Sequence, residues 1–225
     1  MTTAIDIFGV TFSEPVTSLT DWLVTGVAWW LGFRLCRIRD DRRQLTFPWG
    51  IGFWLIGFGA LVGGISHAFA TYLSEAAYFW IWKATIYSIA LSVTFALAGT
   101  ISATVNADRI SRVLHAVNIV VFTAYAIWML DHSSFRYVIL HYVPVMLTIA
   151  LLHAWAWSRH RDEAGKWIIA GVVVTLAGAA IQRSGFSIHR WFNHNDLYHI
   201  VQVLGLYLLY SGLAGKRLSD APERV

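Results

Sequence analysis

Long apolar runs separated by short polar connections constrain this chain more than any other feature. A helix that crosses the hydrocarbon core of a bilayer needs about 20 consecutive, mostly apolar residues. Seven stretches meet or approach that length: Leu19 to Leu35, Trp49 to Ala70, Tyr78 to Val105, Val113 to Leu130, Tyr137 to Trp157, Trp167 to Ile181 and Asp196 to Leu213. The sixth is the shortest. Lipid cannot satisfy backbone N–H and C=O groups, so each run reads as a helix. The connections are short, which makes consecutive helices antiparallel neighbours. The expected fold is all-α: one domain over residues 1–225, an integral membrane bundle of seven transmembrane helices.

Composition agrees. The chain is 57% hydrophobic and only 13% charged, where a soluble domain carries about 25% charged residues. Its net charge of +4 does not point to nucleic acid, because the basic residues sit between the apolar runs rather than on one face. Thirteen of the seventeen Lys and Arg fall at one end of the bundle: Arg34, Arg37, Arg39, Arg42, Arg43, Arg109, Arg112, Arg159, Arg161, Lys166, Lys216, Arg217 and Arg224. Lys83, Arg136, Arg183 and Arg190 fall towards the other. Basic loops stay in the cytoplasm, so the N-terminus is expected outside and the C-terminus in the cytoplasm of a multi-pass cell or inner-membrane protein. Cys36 is the sole cysteine, which excludes an internal disulfide. The first 17 residues hold no Lys or Arg, which argues against a cleaved signal.

Polar groups inside a membrane are costly and therefore informative. Sorted by depth, Glu14, Asp21, Ser66, His67, Lys83, His141, His194, Asn195, Asp196 and His199 gather at the outer side, from at least five segments. Asn195 and Asp196 precede His199 by four and three residues and share its helical face. Gln202 continues that face inward. Gly59, Gly63 and His67 recur at four-residue spacing, which lets a neighbouring helix come close to His67. These residues are expected to line one cavity, with Lys83, His141, Asn195 and Gln202 on its wall. For Lys83 the competing reading is an ion pair with Glu75 or Asp196, or a stem that snorkels to the surface.

Two imidazoles and a carboxylate suit Zn2+ with water in the fourth position. His67, His199, Asp196 and His194 are the candidate ligands, and Asp21 or Glu14 the candidate proton acceptors. The plainer reading makes Asp196 a helix-start acid capped by Asn195, and the two histidines interhelical hydrogen-bond partners.

The stretch Gly59 to Phe69 (GALVGGISHAF) resembles the helix-2 motif of the alkaline ceramidase and adiponectin-receptor superfamily, often called CREST. Asn195 to Ile200 (NDLYHI) resembles its helix-7 motif, and Glu14 to Trp22 (EPVTSLTDW) its acidic segment before helix 1. The resemblance implies a seven-helix hydrolase that holds zinc with three histidines and cleaves lipid amides. The first helix-7 histidine of that motif falls on Asn195, with His194 and Asp196 on either side. The helix-2 serine falls on Gly63, which leaves Ser66 as the nearest catalytic hydroxyl.

The expected function is thus a metal-dependent hydrolase of a lipid amide or ester. The alternative is a non-enzymatic receptor or binding protein that uses the same cavity for a lipid or small molecule. Paired His115 and His153 as haem ligands are weak evidence beside a simple interhelical contact. A transporter lacks a detectable inverted repeat, and a retinal pigment lacks a lysine in helix 7.

Overall fold

The computed structural model describes residues 3–160 and 164–215. Within them the chain forms a short hairpin and seven helices: β1 (Ile5–Ile7), β2 (Val10–Phe12), α1 (Pro15–Cys36), α2 (Arg43–Phe69), α3 (Glu75–Thr104), α4 (Asp108–Asp131), α5 (Phe135–His160), α6 (Ala164–Ser184) and α7 (His194–Ala214). Each of the seven expected stretches lies within, or within a residue of, one helix. α2 starts earlier than the apolar run because the turn before Pro48 closes on Arg42, whose carbonyl accepts the Leu45 and Thr46 N–H groups. α3 starts earlier because the Ser74 hydroxyl accepts the Ala77 N–H as its N-cap.

The hairpin has no counterpart in the sequence expectations. Ile7 pairs with Val10 around Phe8 and Gly9, both at positive φ, the backbone of a two-residue turn. It is fixed to the bundle through Ser13 and Glu14, whose N–H groups donate to Ala68 and His67 carbonyls at the end of α2.

Six helices, α2 to α7, are long and apolar enough to cross a membrane. α1 falls short because its polar residues are many: Thr17, Ser18, Thr20, Asp21 and Thr25. All five are buried, while Leu19, Leu23, Trp29, Trp30 and Phe33 of the same helix are exposed. This inside-out distribution, polar inward and apolar outward, is that of a multi-pass membrane protein.

Close helix pairs set the scaffold. Trp22 lies over Gly64, Trp29 over Gly57 and Trp54 over Gly32, all in one antiparallel register between α1 and α2. A side chain at Gly57 or Gly64 would collide with an indole ring. α2 meets α3 in the same manner: Gly52 faces the Ser92 carbonyl, and Gly59 that of Thr85. α6 meets α7 through Gly171 against Leu209 and Gly212 against Ile168. α1 packs on both α2 and α7, whereas α2 and α7 barely touch. α1 therefore stands between the two helices that carry His67 and His199.

The ends of the bundle differ in charge. Arg42, in the α1–α2 connection, donates to the Ala214 and Gly215 carbonyls and so caps α7. Arg109 and Arg112 begin α4 at the same end, and Arg159 and Lys166 flank the α5–α6 connection there. Arg161, Lys216, Arg217 and Arg224 lie outside the described residues. Glu14, His67 and the start of α7 lie at the opposite end.

Candidate functional site

At that opposite end, six helices enclose a half-open cavity of about 80 Å³. This is room for several waters or the polar head of a small molecule. Every helix except α4 contributes to its wall. His67 from α2, Asp21 from α1 and His199 from α7 all line it, with Asn195 and Gln202 of α7. Depth groups Asp21, His67, Asn195 and His199, and the inward-running face of α7 supplies Gln202; the structure brings these five side chains to one cavity.

Each imidazole is held by an acid, Glu14 just before α1 and Asp21 within it. His67 Nδ1–H donates to Glu14 Oε2 at 2.7 Å, with both side chains 29% exposed. That bond, together with the charges of His67 and His194, holds the Glu14 carboxyl below the ordinary carboxylate range against the opposing effect of partial burial. Deeper in, His199 Nε2 lies 3.1 Å from Asp21 Oδ1, with the side chains 11% and 7% exposed. The other ring nitrogen, Nδ1, lies 2.9 Å from the Thr20 hydroxyl. A neutral His199 protonated on Nε2 satisfies both contacts: it donates to Asp21 and accepts from Thr20.

Glycine brings α2 up to this pair. A Cβ on Gly63 would lie 3.7 Å from Asp21 Oδ2. Asp21 Oδ2 has no hydrogen-bond partner among the described residues. The Gln202 side chain is buried, and its Oε1 likewise has none. Gln182 donates to Asn195 Oδ1 at 3.4 Å across the α6–α7 mouth of the cavity.

Other expected site residues stand elsewhere. Asp196 is fully buried, but in a capping box: its Oδ2 accepts the Asn193 N–H at 2.6 Å while the Asn193 side chain caps the start of α7. The N-cap is therefore Asn193, not Asn195, and the helix-start reading of Asp196 describes its geometry. His194 is the first residue of α7, close enough to Glu14 to act on its charge. Ser66 is buried and turns its hydroxyl back on the Gly63 carbonyl at 2.7 Å. It does not line the cavity.

Among the described residues Lys83 pairs with neither Glu75 nor Asp196; Asp131 is the acid whose charge acts on it. Its buried ammonium donates to the carbonyls of Met129, Leu130 and His132, the open C-terminal end of α4. A cation suits that end of a helix both as donor and as charge. His141 is buried against Tyr125, their rings stacked at 4.6 Å between α4 and α5. His115 and His153 each meet a hydroxyl of α3, Ser102 at 3.2 Å and Thr100 at 3.4 Å, as interhelical contacts.

The particular rings of the aromatic wall were not singled out in the sequence. Trp82, Phe135 and Tyr198 line the cavity. Trp82 commits its indole N–H to the Ser133 carbonyl at 2.7 Å, and its ring centroid lies 6.1 Å from that of Phe135. In a chain with twelve Trp, no local signal separates these rings from those that meet lipid.

The zinc donor set can be tested directly. Among the described residues, no three His, Cys, Asp or Glu side chains converge as a metal ion requires. His199 has both nitrogens engaged, His67 has spent Nδ1 on Glu14, and Asp196 is directed to the Asn193 amide. The residues as placed do not fit the tetrahedral site that the spacing suggested.

A family model matches residues 16–218, and the chain belongs to that family, which is described as a family of unknown function (DUF6962). No curated protein and no solved structure matches the chain.

Proposed function

We propose, for this member of a family of unknown function, a non-enzymatic receptor or binding role: the outer cavity takes a small molecule or the head of a membrane lipid. All seven helices span the membrane. The arginine-rich end faces the cytoplasm, as basic loops do, so the N-terminus and the cavity are on the outer side. α1 crosses despite its polar residues because α2 and α7 shelter them.

One observation carries this reading. His67 and His199, from helices that barely touch, line a single half-open cavity with Asp21, the buried amide of Gln202 and an aromatic wall. Buried polar side chains facing an apolar wall are the ordinary makings of a ligand pocket. Imidazoles already held by acids are preorganised, so little ordering cost remains at binding.

The test is to purify the full chain in mild detergent and identify co-purifying molecules by native mass spectrometry. The comparison is Ala60→Phe, which places a ring in the cavity wall. One species is expected near stoichiometric occupancy in the wild type and depleted about tenfold in the variant. A bound population no different from bulk lipid in both proteins would refute the reading.

Hydrolysis of a lipid amide or ester is the second reading, favoured by the Asp21–His199 pair on the cavity wall. A carboxylate-held imidazole is a placed base. Ser66, the hydroxyl assigned to it, faces away. Release of fatty acid from vesicles containing an N-acylated lipid, lost in Asp21→Asn, would replace the binding role with this one.

A further inference from the structure

We infer that the cavity selects a ligand bearing a protonated amine. The inference rests on the binding reading above and adds the chemical class of the ligand.

The cavity offers acceptors and lacks partners for them. Gln202 is 4% exposed; its side-chain amide meets Tyr142, and its Oε1 has no hydrogen-bond partner among the described residues. A buried amide oxygen in that state costs free energy unless a donor reaches it. Asp21 spends Oδ1 on His199 and leaves Oδ2 without a partner among the described residues. Two unmet acceptors, Gln202 Oε1 and Asp21 Oδ2, call for a donor with several protons, and an ammonium carries three.

Charge points the same way. Among the described residues, no Lys or Arg lines the cavity. Lys83 sits one residue beyond the cavity-lining Trp82, yet its ammonium is drawn off to the end of α4. Glu14 and Asp196 lie close enough for their negative charge to act on His67. A phosphate, sulfate or carboxylate head would meet the Asp21 carboxylate here with no lysine or arginine beside it. The wall suits the same ligand, because the aromatic side chains of Trp82, Phe135 and Tyr198 line it. The volume of about 80 Å³ admits an amine head and excludes a bulky one.

The experiment is calorimetric titration of the full chain in maltoside micelles with n-octylamine, and with 1-octanol at equal micellar loading. Octylamine is expected to bind at least about tenfold more tightly than octanol, the ratio that one charge-assisted hydrogen bond supplies. Gln202→Met keeps the side-chain length and removes the acceptor. It is expected to weaken octylamine about tenfold while raising the melting temperature of the ligand-free protein, because an unsatisfied buried oxygen is gone. A merely structural glutamine would not move these two readouts in opposite directions. Asp21→Asn serves as the second variant and is expected to weaken octylamine by a similar factor.

Ethanolamine distinguishes the source. Binding as tight as octylamine assigns a free small amine, and binding of octylamine alone assigns an amine carried on a lipid chain. Equal affinity for octanol and octylamine, or unchanged octylamine affinity in both variants, overturns the inference. A stoichiometric co-purifying molecule without an amine would also overturn it, yet leave the binding reading standing. Loss of the Ala60→Phe difference would instead remove that reading.

Discussion

The two imidazoles on the cavity wall are held by the same chemistry at two depths. Glu14 precedes α1 and holds His67; Asp21 lies seven residues on, about 10 Å along the helix axis, and holds His199. The rim pair is the shorter, 2.7 Å against 3.1 Å, but both its side chains are 29% exposed against 11% and 7% for the deep pair. Length does not decide which matters more. At the rim, water competes for both partners, and such pairs contribute little. In the interior, removing one partner strands the other. Position in the fold widens the gap. The rim pair repeats a link that backbone bonds from Ser13 and Glu14 to α2 already make. The deep pair ties α1 to α7 and closes the ring of helices, because α2 and α7 scarcely meet.

The largest effect should therefore come from Asp21. Asp21→Ala leaves the His199 Nε2–H without an acceptor, and a cost of about 3 kcal/mol is expected in detergent unfolding. Asp21→Asn retains an acceptor and should cost about half of that. A loss below about 1 kcal/mol for the alanine variant would show that the deep pair is no stronger than a surface contact, and the contrast would collapse. Thr20→Val sharpens the same side. It removes the hydroxyl that meets Nδ1 at 2.9 Å, in nearly the same volume. A cost of about 1 kcal/mol is expected, with the His199 ring free to flip, readable as a changed imidazole chemical shift.

A smaller effect tests whether the two pairs are independent. His67→Ala and His199→Ala, singly and together, should add within about 0.5 kcal/mol. A bound ion shared by the two rings would couple them by more than this and would make the melting temperature fall on chelation. Neither is expected, and zinc by elemental analysis should stay well below one equivalent.

How far these residues could be read beforehand follows from what a membrane sequence encodes. The seven helices were legible because spanning length is imposed by the bilayer. The hairpin was not, because Ile5–Ile7 and Val10–Phe12 are too short to show a period. Depth placed Asp21, His67, Asn195 and His199 at one level, the inward-running face of α7 added Gln202, and all five line the cavity. Depth says nothing about direction around the helix. Ser66 is one residue from His67, about 100° round the axis, and bonds its own helix instead. Lys83 is equally misdirected by one position from Trp82, and His141 faces α4. Asp196 kept a carboxylate where a ligand was expected, because the orphan amides at the start of α7 claim it first. Trp82, Phe135 and Tyr198 were invisible, since an aromatic residue in lipid and one in a cavity look alike in sequence.

The smallest effect belongs to the rim and is best seen through pH. The His67 bond depresses the Glu14 carboxyl below its ordinary value of 4.5. A depressed carboxylate contributes stability that is fully present above that ordinary value and is lost as pH falls through the depressed one. At neutral pH, Glu14→Gln should cost only a few tenths of a kcal/mol, because the pair is partly wet. The wild type should keep this small advantage in melting temperature down to about pH 5. It should lose the advantage on further acidification, until the two proteins melt together. Octylamine affinity should fall by less in this variant than in Asp21→Asn, because Asp21 rather than Glu14 lines the cavity. A Glu14→Gln penalty as large as that of Asp21→Ala, or one that grows in acid, would reverse the ranking of the two pairs and make the rim the clamp.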